Sequence, residues 1–144
     1  MCNKEEMAGD LQFTADGVKF KGKGKIFKIK AHPAIYDKDF IVGMAGVATN
    51  ISLVVEYFNQ PDIVKPPKVK GVTGIILDSS GNIFTFDTWD TWLANGSPFA
   101  ACGSGANIAL GAMTIGATPK EAVKAAMQHD VYTGMGIQVL SFRK

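Results

Sequence analysis

Residues 103–140 read GSGANIALGAMTIGATPKEAVKAAMQHDVYTGMGIQVL, and the order of signals within this stretch decides the fold. Gly103-Ser104-Gly105 opens a segment whose apolar residues (Ala106, Ile108, Ala109, Leu110, Ala112, Met113) predict a helix from about Ser104 to Ile115. That helix is small and apolar nearly all round, so it needs cover on several sides. Thr118-Pro119-Lys120-Glu121 is a capping box with proline at the first helical position, which starts a second helix at Pro119 and carries it to about His129. Asp130, Tyr132 and Thr133 then lead into Gly134-Met135-Gly136 and a last strand, Ile137 to Phe142. An aspartate just past a helix C-terminus runs against the helix dipole, whereas His129 suits it, so Asp130 either pairs with a hydroxyl or amine or faces water. Ser104 likewise has two readings. It is a simple N-cap, or it joins nearby backbone N–H groups in supporting an anion or a developing oxyanion.

Upstream, Met7–Thr14 alternates loosely and ends at the turn signal Ala15-Asp16-Gly17. Lys25–Lys30 alternates polar and apolar as a half-buried strand does, and Phe40–Gly46 is a short, buried apolar strand. Ile51, Val54, Val55 and Phe58 are spaced as one helical face from about Asn50 to Asn59, with Thr49 or Asn50 as cap. Tyr57 and Phe58 are expected at that helix's exposed end. Residues 60–70 form a proline-punctuated connector. Gly74–Asp78 and Ile83–Phe86 flank Ser79-Ser80-Gly81-Asn82 as a hairpin. The order of strands, helix, hairpin, two helices and strand predicts an α+β sandwich with helices outside mostly antiparallel sheets. Asp10 is an acid inside an otherwise apolar strand. It sits on an exposed edge or pairs with a cation, for which Lys25 is the candidate.

The chain has 144 residues, 47% of them hydrophobic and 19% charged, which predicts one globular domain over 1–144. No apolar run reaches the ~20 residues of a membrane helix. The start MCNKEEMAGD lacks an apolar core for a signal peptide, so the expectation is a cytoplasmic protein without membrane association. Two cysteines, Cys2 and Cys102, make no disulfide framework, and no Cys/His spacing suits zinc, so neither metal nor cofactor is expected. Net charge is +2, yet residues 19–30 (KFKGKGKIFKIK) hold six of fifteen basic residues and no acidic one. A lysine ladder with interleaved Phe20 and Phe27 can contact phosphates. It also fits lysines on the wet face of a strand pair, and with Arg143 the sole arginine, nucleic acid is not the expected partner.

Taken together, GDLQFT (9–14), KIFKI (25–29), GMAG (43–46), GSGANIALGAM (103–113) and HDVYTGMGIQVL (129–140) resemble, in order and rough spacing, the proteasome β-subunit and HslV peptidase family of N-terminal nucleophile (Ntn) hydrolases. The resemblance spans about residues 7–142 and implies a four-layer αββα sandwich. It implies that Asp10 pairs with a catalytic Lys25, and that Gly46 supplies an oxyanion-hole N–H. Ser104, Asp130 and Thr133 would support the nucleophile's amine. The implied activity is a threonine-protease-type amide hydrolase acting on peptide or protein, without cofactor, as a homo-oligomer, rings being the family's form of assembly. The sequence departs from the pattern in two places. The segment before Asp10 is compact, so the N-terminal nucleophile is missing or out of register; removal of Met1 would leave Cys2 as the thiol the chain itself offers. The connector 60–70 stands where larger members have a second helix, which leaves ring size open. The alternative function is a catalytically inactive homo-oligomeric scaffold or binding protein keeping the fold.

Overall fold

The computed structural model describes residues 1–15, 18–22 and 24–142, apart from the side chains at positions 15, 18, 20 and 21. Its strands are β1 (Glu6–Asp10), β2 (Gln12–Ala15), β3 (Val18–Lys21), β4 (Ile26–Ile29), β5 (Phe40–Gly46), β6 (Val72–Asp78), β7 (Ile83–Thr88), β8 (Thr91–Ala94) and β9 (Ile137–Ser141). Helices α1 (Ala48–Asn59), α2 (Ala106–Thr114) and α3 (Pro119–His129) complete it. Strands β4 to β8 form one antiparallel sheet in sequence order, β1 pairs with β9, and β2 pairs with β3. The turn at Asp16-Gly17, Lys23 of the lysine-rich segment and Arg143 lie outside the described residues.

The layers follow from which faces are apolar. Strand β5 has no polar side chain from Phe40 to Met44 and is buried on both faces. On one face Phe40, Val42 and Met44 meet Ile51, Val54 and Phe58 of α1. On the other, Ile41 joins Ile75, Leu77, Met7 and Cys2, so the β1–β9 pair packs against the larger sheet. Beyond β1 lie α2 and α3, which meet through Ala109, Met113 and Ala122. The result is an αββα sandwich of antiparallel sheets.

Several boundaries differ from the sequence reading for identifiable reasons. The strand expected over Met7–Thr14 breaks at Leu11, whose N–H turns to the carbonyls of Gly134 and Gly136. Helix α2 begins at Ala106 with Gly105 as N-cap, so Ser104 is not its cap; α1 begins at Ala48 with Val47 as N-cap, and neither Thr49 nor Asn50 caps it. Asn50 instead donates to the Lys70 carbonyl, tying the connector to the helix. Tyr57 and Phe58 are buried against Trp89 and, for Phe58, Trp92, so that end of the helix is not exposed as expected. The capping box at Thr118 and Glu121 forms in both directions, at 2.9 and 3.2 Å. The cover that the apolar α2 called for is partial: Ala109 and Met113 are buried, but Ile115 just beyond its end is 89% exposed.

Candidate active site

Asp10 ends β1 with a mostly buried carboxyl group. Burying a carboxylate is costly unless it is paired and hydrogen-bonded. Lys25, one residue ahead of β4, supplies the pair, its Nζ donating to Asp10 Oδ1 at 2.9 Å. The N–H groups of Gly134 (2.9 Å) and Gln12 (3.3 Å) donate to Oδ2. Lys25 is fixed at both ends. Its carbonyl accepts from the Met44 N–H, and its ammonium also stands 5.2 Å from the centre of the Phe13 ring.

A second network joins the ends of α2 and α3. Ser104 Oγ donates to Asp130 Oδ2 at 2.5 Å and Thr133 Oγ1 donates to the same oxygen at 2.7 Å. Burial raises the Asp130 pKa, but these two bonds and the Tyr132 N–H outweigh it and hold the carboxyl below its ordinary range. Asp130 therefore has the hydroxyl partners its awkward place after a helix asked for. Gly105 makes the approach feasible, because a Cβ there would lie 2.9 Å from Ala126 Cβ and 3.0 Å from Thr133 Oγ1. Gly46, at the end of β5, has φ +138° and a would-be Cβ only 1.9 Å from the Gly71 carbonyl oxygen, so only glycine fits.

The two networks share a narrow cavity of about 60 Å³, lined by Asp10, Lys25, Ser104 and Thr133 together with Met1 and Cys102. It adjoins a wider cleft of about 570 Å³, with Lys25, Ser104 and Tyr132 on both walls. Gly46 lines the wider cleft, beside the start of α1. Sequence reasoning missed Met1, whose α-amine donates to the Ala8 carbonyl at 3.1 Å while its own carbonyl accepts from Ala8. Burial pushes that amine below its ordinary value, against the opposing influence of Cys102, Cys2 and Asp10. Cys102 was also missed, although its place beside Gly103-Ser104-Gly105 was the available signal. Gln12 is a third omission: it is buried, and its side chain donates to the Val131 carbonyl at 2.9 Å, bracing the turn that carries Thr133. Cys2, the thiol singled out from the sequence, is not on either cavity wall. It is fully buried between the sheets, donates to the Asn3 carbonyl, and burial pushes its thiol up to about 12. Among the described residues, no cluster of His, Cys, Asp and Glu is arranged to hold a metal ion.

No family model and no curated protein matches the sequence. Solved structures do match. BPH of Thiobacillus denitrificans, determined in complex with epoxomicin, is 18% identical over 96% of this chain and 93% of its own, with a TM-score of 0.70. Eukaryotic HslV from Trypanosoma brucei is 19% identical over 94% and 92%, at 0.63. A Gly-1 mutant of Anbu from Hyphomicrobium sp. strain MC1 is 11% identical over 96% and 77%, at 0.69. At these identities the likeness is one of fold. The chain has an HslV/proteasome-like Ntn-hydrolase fold.

Proposed function

We propose that the cavity between Lys25 and Ser104 is an amide-hydrolase site of the N-terminal nucleophile type, acting on peptides, in a homo-oligomer. One observation carries this reading: the Lys25–Asp10 pair and the Ser104 and Thr133 hydroxyls, both bonded to Asp130, line a single cavity with Met1, whose α-amine burial makes less basic. An α-amine of lowered basicity in such a space can serve as a general base. In the proposed reaction the first residue of an active chain places a hydroxyl or thiol in this space, which Met1 does not have, and that group attacks the substrate carbonyl carbon. Its proton passes to the amine and then to the departing amine of the substrate, and water hydrolyses the resulting ester or thioester. The Lys25 ammonium, held by Asp10, favours the ionised nucleophile. The Gly46 N–H takes the developing oxyanion, and Asp130 with Ser104 and Thr133 positions the α-amine. Phe13, Ala45, Val47 and Ile51 on the wider cleft suit an apolar substrate side chain. The alternative, a silent scaffold or binding protein of the same fold, is favoured by Cys2, whose thiol lies among core residues and not in the cavity.

Strand register sets the test. Met1 lies opposite Ala8, so in an antiparallel pair the residue opposite Asp10 stands two positions ahead of Met1. Chains beginning at Met1 are compared with chains carrying one, two or three additional residues, threonine first, in fluorogenic peptide hydrolysis and light scattering. The expected outcome is turnover in at least one extended chain, a fall of about 100-fold or more with Lys25→Ala at unchanged circular dichroism, and a mass above one chain. Turnover absent from every extended chain overturns the hydrolase reading in favour of the scaffold. A mass of 15.4 kDa overturns the assembly.

A further inference from the structure

At the other end of α1 from the polar cleft, Tyr57 and Phe58 share a cavity of about 440 Å³ with Tyr36, Phe84, Trp89 and Trp92, and the exposed Asp90 stands on its wall. The ring centres are 5.2 Å apart for Tyr36–Trp92 and for Tyr57–Trp89, and 6.0 Å for Phe84–Trp92. The hydrogen-bonding edges of these rings are already committed. Trp89 Nε1 donates to the Pro67 carbonyl (3.1 Å), Trp92 Nε1 to the Trp89 carbonyl (2.8 Å), and the Tyr36 hydroxyl to Asp78 Oδ2 (2.7 Å). The backbone N–H groups of Ala34, Ile35 and Tyr36 are spent on His32. The wall therefore presents aromatic carbon, the Tyr57 hydroxyl, and one carboxylate whose other contact is a long 3.5 Å bond from Thr91 Oγ1.

Rings attract cations through their negative faces, and a carboxylate at the margin adds to that attraction. The kind of cation follows from what the wall lacks. A primary ammonium or a guanidinium brings three to five N–H donors that need acceptors once water is removed, and the side chains of this wall offer only tyrosine hydroxyls and the one carboxylate of Asp90. A quaternary ammonium has no N–H to satisfy. We propose that this aromatic cavity is a binding site for a small quaternary ammonium, with Asp90 as its counter-charge. The proposal is independent of the hydrolase reading, since no residue is shared between this cavity and the polar one.

Trp89 and Trp92 are the only two tryptophans in the chain, so intrinsic tryptophan fluorescence reads this cavity directly. The experiment titrates the whole chain with choline, with its uncharged isostere 3,3-dimethylbutan-1-ol, and with ammonium chloride at matched ionic strength. The expected result is a saturable change with choline, binding weaker by about tenfold for the neutral isostere, and no saturation with ammonium. Asp90→Asn, an exposed position that leaves the ring cluster intact, should weaken choline severalfold without shifting the emission maximum of the free protein. No saturable change up to about 50 mM choline overturns the proposal. So does equal binding of the neutral isostere, which would make the cavity a simple apolar slot, or an Asp90→Asn chain that binds choline as tightly as the parent.

Discussion

The two ends of α1 solve opposite problems. Around Thr49 the helix borders the wider cleft, whose wall adjoins directional groups from distant parts of the chain: Lys25, Ser104 and, through Ser104, Asp130. About 12 Å along the same helix, Tyr57 and Phe58 meet rings whose contribution is buried area, not direction. A polar site depends on a few bonds of fixed geometry, so removing one disables chemistry while leaving most of the stability. An aromatic cluster depends on filled volume, so removing one ring opens a void that the neighbours cannot collapse into. The fold keeps its directional polar groups and this aromatic cohesion at separate ends of the helix.

The largest expected effect tests this directly. Phe40 is fully buried and its ring meets Tyr36, Phe58 and Trp92. Phe40→Ala should cost about 3–5 kcal/mol of stability, read as a fall in Tm on the order of 10 °C. Ser104→Ala, at an exposed residue with one hydrogen bond to Asp130, should cost about 1 kcal/mol. Equal losses in calorimetry would mean that the two ends are not separate in this way.

Acid should distinguish the ends next. Burial raises the Asp78 pKa, but bonds from Asn82, Tyr36 and Ser80 outweigh it and hold the carboxyl below the ordinary 3.8, as Asp130 is held by Ser104 and Thr133. In that window the unfolded chain binds more protons than the folded one. The stability from both carboxylates is therefore complete above about pH 4 and is lost as pH falls below it. Asp78 is 1% exposed and bridges the β6–β7 turn to the aromatic cluster, so Asp78→Asn should flatten the acid limb of the denaturation profile more than Asp130→Asn does. A steeper dependence on Asp130 would place more of the cohesion at the polar end.

The smallest effect is a control away from both cavities. Thr118→Ala removes the N-cap of α3 and should cost about 1 kcal/mol in urea unfolding. It should leave the tryptophan emission maximum unchanged, and a shifted maximum would show that the α2–α3 layer and the aromatic cluster are coupled.

Much of this architecture was legible in the residue order because its signals are local. The capping box of α3 needs only Thr118, Pro119 and Glu121, and it forms where the sequence puts it. The apolar run of β5 and the β6–β7 hairpin are set by neighbouring side chains and turn residues in the same way. The motif order also pointed to the Ntn-type sandwich found among the solved structures. The residues by themselves marked Asp10, with Lys25 as its candidate partner, and Asp130 as acids in awkward places, while the grouping of Ser104 with Asp130 and Thr133 came only from the family resemblance. What only the tertiary structure decided is which groups share a space. Met1, Cys102 and Gln12 gained their places from strand register and from the turn over residues 130–136, and neither leaves a periodic trace. Cys2 went to the core because the short hairpin sets it opposite both Met7 and Ala100, on the face that packs between the sheets. Tyr57 and Phe58, expected at an exposed helix end, are covered by Trp89 and, for Phe58, Trp92, more than thirty residues away. Which rings provide that cover depends on which surfaces meet when the chain closes, and sequence periodicity carries no record of it.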